Sequence, residues 1–104
     1  MSARYELTPE AVNDLRDIWH YIAIEYQNPA AADALWVDIE EACGQLARKP
    51  SLGHRRKDLT PDPDVLFYCV RDFYLVVYRR GTDPLQIARV LHGARDVAGE
   101  LEEE

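Results

Sequence analysis

Cysteine is scarce in this sequence, long apolar runs are missing, and lysine occurs only twice, at Lys49 and Lys57. The two cysteines, Cys43 and Cys69, sit in apolar segments without a CxxC pair or neighbouring histidines. That gives no sign of a zinc site or a disulfide framework and predicts two reduced, buried thiols. No apolar stretch approaches the roughly 18 residues a membrane-spanning helix needs. The opening residues carry charges on both sides of short apolar stretches, so neither an anchor nor an export signal is read, and a cytoplasmic protein with no membrane partner is expected. A phosphate-cradling glycine loop, a metal-ligand cluster and a Ser or Cys nucleophile with a matched base are all lacking, so no cofactor and no metal is implied. Neither a repeat nor a linker divides the 104 residues, and one domain, residues 1–104, with one core is expected.

What is present is a globular composition, 47% hydrophobic and 30% charged, with an uneven charge distribution. Residues 1–47 hold nine acids and two bases, 48–95 five acids and ten bases, and 96–104 five acids, giving −7, +5 and −5. A net charge of −7 argues against a nucleic-acid binder only if it is spread evenly. This partition can place one positive face on an acidic protein, able to attract a polyanion or an acidic partner.

Arg4 to Leu7 alternates polar and apolar and then meets Thr8-Pro9, which reads as a short strand ending at a helix N-cap. Ala11, Leu15, Ile18, Trp19, Ile22 and Tyr26 then recur at spacings of three and four, one stripe of an amphipathic helix. Asn28-Pro29 repeats the cap signal. Ala31, Leu35, Ile39, Ala42, Cys43 and Leu46 form a second stripe that ends before Pro50. Trp19 and Trp36 are expected to anchor the resulting hairpin, whose alanine-rich start lets the helices approach closely. Ser51 to Asp64 has neither period and reads as a loop, carrying the basic run Arg55, Arg56, Lys57. Val65–Val70, Phe73–Arg79 and Leu85–Leu91 are rich in β-branched and aromatic residues and read as a three-stranded antiparallel meander with edges open to pairing. Ala94 to Leu101 is compatible with a short helix or an irregular tail, and Glu102 to Glu104 with a frayed end. The fold class is therefore α+β, in the order β-α-α-β-β-β(-α), with the hairpin covering one face of a small twisted sheet.

Several segments together resemble the ParE branch of the ParE/RelE toxin superfamily of type II toxin-antitoxin systems, over nearly the whole chain. The resemblance rests on Leu7-Thr8-Pro9-Glu10-Ala11, Asp14-Leu15, Ile18 to Ile22, Leu46-Ala47 with Pro50 and Gly53, Tyr78-Arg79, and above all the run from Ile87 to Asp96, Ile-Ala-Arg-Val-Leu-His-Gly-Ala-Arg-Asp. It implies a compact toxin made with an antitoxin that wraps and neutralises it. ParE members are known as DNA gyrase poisons, whereas RelE members cut messenger RNA on the ribosome.

The residues weigh between these. Metal-free RNA cleavage needs a base, an acid and cations around a phosphorane. His92, Tyr78 and arginines could supply such a set, but both lysines fall outside the predicted sheet and no catalytic residue is assigned. Arg89 alternates with Ile87 and Leu91, on the face opposite Ala88 and Val90. A charge there is paired with an acid from the helices, or lines a groove with Arg71 and Arg79. Arg95, just beyond His92, is a further guanidinium suited to carboxylate or phosphate. Arg71, Tyr78, Arg79, Arg89, His92 and Arg95 are accordingly the candidates for contact with target or antitoxin. The expected partners are a cognate antitoxin and gyrase or another topoisomerase. A RelE-type nuclease and a non-toxic antitoxin-binding module stand as alternatives.

Overall fold

The structure is a computed structural model that describes residues 4–92. In order, these form β1 (Tyr5–Leu7), α1 (Pro9–His20) running into a π-helical turn (Tyr21–Glu25), α2 (Pro29–Arg48), a 3₁₀ turn (Pro50–Leu52), β2 (Val65–Val70), β3 (Tyr74–Arg79) and β4 (Leu85–His92). The four strands lie in the order β1-β4-β3-β2. The meander read from sequence is therefore the antiparallel part of a mixed sheet. β1 joins it in parallel on β4, with Tyr5 opposite Leu85 and Leu7 opposite Ile87. Gly93 to Glu104, including Arg95 and the candidate helix Ala94 to Leu101, lies outside the described residues.

Both cap signals operate as the sequence suggests. Thr8 Oγ1 accepts from the Ala11 amide at 3.1 Å, and Asn28 Oδ1 accepts from the Ala31 amide at 3.1 Å. Each satisfies an amide that the first helical turn leaves without a partner, and the following proline supplies a helical φ with no N–H to waste. Thr8 also donates its hydroxyl to the Ala88 carbonyl at 2.7 Å, so one side chain caps α1 and docks it on β4.

The end of α1 departs from the expected stripe. The Tyr26 amide donates to the Tyr21 carbonyl at 3.1 Å, a five-residue step that widens the last turn. Past Ile22 and the buried Ala23 the side chains no longer follow the 3.6-residue period, so Tyr26 points outward and is 66% exposed. Gln27 follows in the left-handed region, φ 53°.

The helices cover one face of the sheet. Leu15, Leu35, Ile39, Cys43 and Leu46 pack there on Leu66, Val76, Tyr78, Ile87 and Val90. A smaller cluster on the opposite face joins Phe67, Val77 and Leu91, with Leu59 of the loop laid against it. A bulge in β4 corrects the alternation read from sequence. Val77 faces Arg89 but Tyr78 faces Ile87, leaving Ala88 as an extra residue. One inserted residue resets the pleat, so Ile87 shares the helix-facing side with Val90, and Arg89 the other side with Leu91. The thiols need a second correction, because Cys43 is buried whereas Cys69 is exposed. Cys69 belongs to β2, an outer strand of the sheet, on the face away from the helices, where Leu59 covers Phe67 but not its neighbour two residues on.

The segment after α2 is more ordered than a loop reading implies. Tyr78, fully buried, donates its hydroxyl to the Pro50 carbonyl and accepts from the Gly53 amide at 2.9 Å. A Cβ at residue 53 would come within 2.8 Å of the Tyr78 ring, which is why the sequence has glycine there. His54 then pairs with Phe67 through two backbone hydrogen bonds, 2.8 and 2.9 Å.

Candidate functional site

The first half of α1 lies beside β4 just past the point where β1 stops. There the β4 backbone has no strand neighbour, and helix side chains take its place. Asp14 Oδ2 accepts from the Val90 amide at 2.9 Å, and Thr8 serves the Ala88 carbonyl. The same Asp14 carboxylate accepts from both Nε (2.8 Å) and Nη2 (2.9 Å) of Arg89, a bidentate pair whose side chains are only 16% and 14% exposed. A buried guanidinium held this way is geometrically fixed. The sequence left Arg89 between pairing with a helix acid and a groove shared with Arg71 and Arg79; it is paired with Asp14, and the groove of about 530 Å³ that it lines includes Arg79 but not Arg71.

That groove runs between the start of α1, the bulge at Ala88 and the loop around Thr60. Val65, Val77 and Leu59 give it an apolar wall, and Arg79 and Arg89 stand on its rim. Arg79 donates to Asp62 at 2.7 Å. The Asp64 amide and then the Arg79 guanidinium hold the Asp62 carboxyl below the ordinary carboxylate range.

Among the described residues, five arginines of the basic block face an aspartate: Arg56 with Asp58, Arg71 with Asp38, Arg79 with Asp62, Arg80 with Asp64 and Arg89 with Asp14. Half of the ten bases in the block are thus paired, and only the Arg89–Asp14 pair is mostly buried. Asp14 and Asp38, contributed by the acidic first half, are the partners that residue-by-residue reading did not name. The imbalance of −7 against +5 was the available signal for such pairing across the chain.

The six candidates do not form one site. Arg79 and Arg89 share the groove, and Arg71 and His92 lie at the other end of the sheet. Arg95 falls outside the described residues. Tyr78 is inside the fold, its hydroxyl engaged by Pro50 and Gly53, and burial pushes its phenol pKa up. His92 stands opposite Tyr74 in the sheet and packs edge-on against its ring, centroids 5.5 Å apart. Tyr74 and Tyr78 are four residues apart on β3, about 13 Å at the rise of a strand. Tyr78 and His92 therefore do not converge on one reacting atom. No His, Cys, Asp and Glu grouping among the described residues could hold a metal ion, and no described helix is long and apolar enough to cross a membrane.

A helical hairpin on one face of a small mixed sheet, with an apolar groove on the other side, defines an α+β fold found in toxin-antitoxin proteins. A solved chain described as the chromosomal ParDE TA system from P. aeruginosa shares it, with a TM-score of 0.68 and 22% identity over 88% of this chain and 96% of that one. No curated protein matches. The family described as ParE toxin of type II toxin-antitoxin system, parDE, matches residues 5–97, and the chain belongs to that family.

Proposed function

We propose that this toxin acts by binding, that its target is DNA gyrase or a related topoisomerase, and that a cognate antitoxin silences it. The observation that carries the binding reading is the commitment of the sheet arginines to aspartates. A phosphorane needs cations free to turn toward it, whereas Arg89 is held by two hydrogen bonds to Asp14 and Tyr78 is enclosed. The groove beside Arg79 and Arg89 combines an apolar wall with charged rims, which suits an amphipathic segment of an antitoxin. Gyrase as the target rests on membership of the ParE family, and an antitoxin partner on the toxin-antitoxin description of that family.

The test is to induce the protein alone and together with the product of its neighbouring gene, following growth, DNA supercoiling and transcript integrity in the same cultures. Growth arrest with relaxed or broken DNA and whole transcripts, relieved by the neighbouring product, is expected. Cleaved transcripts would replace this reading with a RelE-type nuclease, and normal growth would replace it with a binding module that lacks toxicity.

A further inference from the structure

The bases of the second half of the chain are not spent evenly. From Ala42 to Lys57 the sequence holds no acid, in a protein that has nineteen, and Arg48, Lys49, Arg55, Arg56 and Lys57 lie within that stretch. All five are exposed. The next acids along the chain, Asp58, Asp62 and Asp64, are each engaged by an arginine, Arg56, Arg79 and Arg80 in turn. Asp58 takes Arg56 through two hydrogen bonds, 3.0 and 2.8 Å. The acids that follow the stretch are thus matched one to one, and among the described residues Arg48, Lys49, Arg55 and Lys57 have no ion pair.

Arg48 and Lys49 suit the end of α2, where the last carbonyls carry partial negative charge. That account does not reach Arg55 and Lys57, which belong to no helix. They sit on a connection that is fixed on both sides. Before them, His54 exchanges two backbone hydrogen bonds with Phe67. After them, the Leu59 and Thr60 amides donate to the Arg56 carbonyl at 2.9 and 3.0 Å, and Leu59 packs on the cluster of Phe67, Val77 and Leu91. The backbone from Lys49 to Arg55 reaches no more than about 20 Å even at full extension, and the 3₁₀ turn at Pro50–Leu52 shortens that. Uncommitted charges on an ordered backbone lose less freedom on engaging a partner than the same charges on a loose one.

Their surroundings select the partner. Among the described residues, the exposed large hydrophobics are Tyr21, Ile24, Tyr26, Val37 and Phe73, none of them within this stretch. A protein interface sets an apolar, aromatic centre inside a polar rim and disfavours lysine. A polyanion needs only closely spaced cations, and duplex DNA offers a negative charge about every 1.7 Å along its axis. We infer that Arg48, Lys49, Arg55 and Lys57 form a contact for the phosphate backbone of duplex DNA, the substrate that a topoisomerase holds while the toxin is bound to it. The inference rests on the topoisomerase reading only in choosing DNA over RNA.

The experiment titrates the full-length toxin into a fluorescent DNA duplex of about 20 base pairs, a single-stranded RNA of equal length and polyglutamate, each over a range of salt. Four phosphate contacts predict a slope of log affinity on log salt of about −3.6, a loss of roughly 100-fold between about 50 and 200 mM salt. Arg55→Gln/Lys57→Gln is expected to halve that slope and to weaken duplex binding about 10-fold at the lower salt. Arg4→Gln/Arg16→Gln removes the same charge beside β1 and on α1, with β1 at the sheet edge opposite β2, and should stay within about 2-fold of wild type. Equal weakening by both variants overturns the inference by making the effect one of net charge, and failure to bind the duplex at the lower salt overturns it outright. Tighter binding to RNA or to polyglutamate than to the duplex overturns it in favour of a transcript or an acidic protein. Gyrase inhibition is followed on the same preparations. A toxin that binds the duplex as expected yet leaves gyrase active upholds this contact and removes the target reading, so the two fail separately.

Discussion

The two ends of α1 solve opposite problems with neighbouring stretches of one helix. At the start, Thr8 and Asp14 meet polar groups that the end of β1 leaves exposed on β4, and Asp14 accepts three hydrogen bonds from Arg89 and Val90. At the far end the helix loosens into a π-helical turn and turns apolar side chains outward. The first arrangement stabilises the fold and leaves little for a partner to gain. The second sets Ile22 and Ala23 into the core and turns Ile24 outward. A short helix can thus hold one part that ties polar side chains into the fold and another that splits its apolar ones between core and surface.

This contrast breaks most decisively at Asp14. Asp14→Ala strands a mostly buried guanidinium and an edge amide, and it is expected to destabilise the fold by about 3–5 kcal/mol, read from urea denaturation. A change under about 1 kcal/mol would mean that Arg89 finds water or another acid and that the first end is not the structural one. Next comes Tyr78→Phe, which leaves the Pro50 carbonyl and the Gly53 amide without their partner and should cost about 1–3 kcal/mol with β-sheet content unchanged by circular dichroism. Asp38→Ala, which removes an exposed pairing with Arg71, should cost no more than about 1 kcal/mol; a larger loss would show that the turn before Phe73 depends on that contact. Ile24→Ser and Phe73→Ser should each change stability by less than about 0.5 kcal/mol, the smallest effect and the sharpest test of the claim that these two exposed side chains lie outside the core.

The thiols extend the comparison from surface to core. Burial, with Glu40 adding to it, pushes the Cys43 thiol up to about 12, so the folded protein keeps it protonated where the unfolded chain ionises it. Its contribution is whole below pH 9, near the ordinary thiol value, and is lost as pH rises from there toward about 12. Alkaline unfolding should therefore be shallower in Cys43→Ala, once its cavity cost at neutral pH is subtracted. A thiol reagent should meanwhile modify Cys69 in the native protein and reach Cys43 only in denaturant.

Local chemistry made much of this fold readable. Thr8-Pro9 and Asn28-Pro29 announce their helices because capping depends on adjacent residues. The strand bodies announce themselves through β-branched and aromatic runs, and the acid partner of Arg89 follows from the cost of an unpaired buried charge. What stayed hidden depends on tertiary register. The bulge at Ala88 puts Ile87 and Arg89 on opposite faces, where simple alternation puts them on one. The parallel docking of three-residue β1 on β4 has no periodic signature, and the π-helical turn breaks the stripe that carried Tyr26. The dispersal of the candidate site has the same origin. The candidates Arg71, Arg79 and Arg89 meet aspartates 17 to 75 positions away only once the chain is folded, and the register that sets His92 opposite Tyr74 leaves Tyr78 four residues further along β3.

The ties made by Tyr78 reach beyond local order. The segment between α2 and β2 is fixed near its beginning by Gly53 and His54 and near its end by Asp62 and Asp64, which meet Arg79 and Arg80. The exposed basic run Arg55, Arg56, Lys57 sits between these anchors. A protease that cuts there would therefore leave a helical piece and a sheet piece that still share β1 on β4 and the core beneath them. The molecule is built as two complementary halves whose covalent link is one of many things joining them.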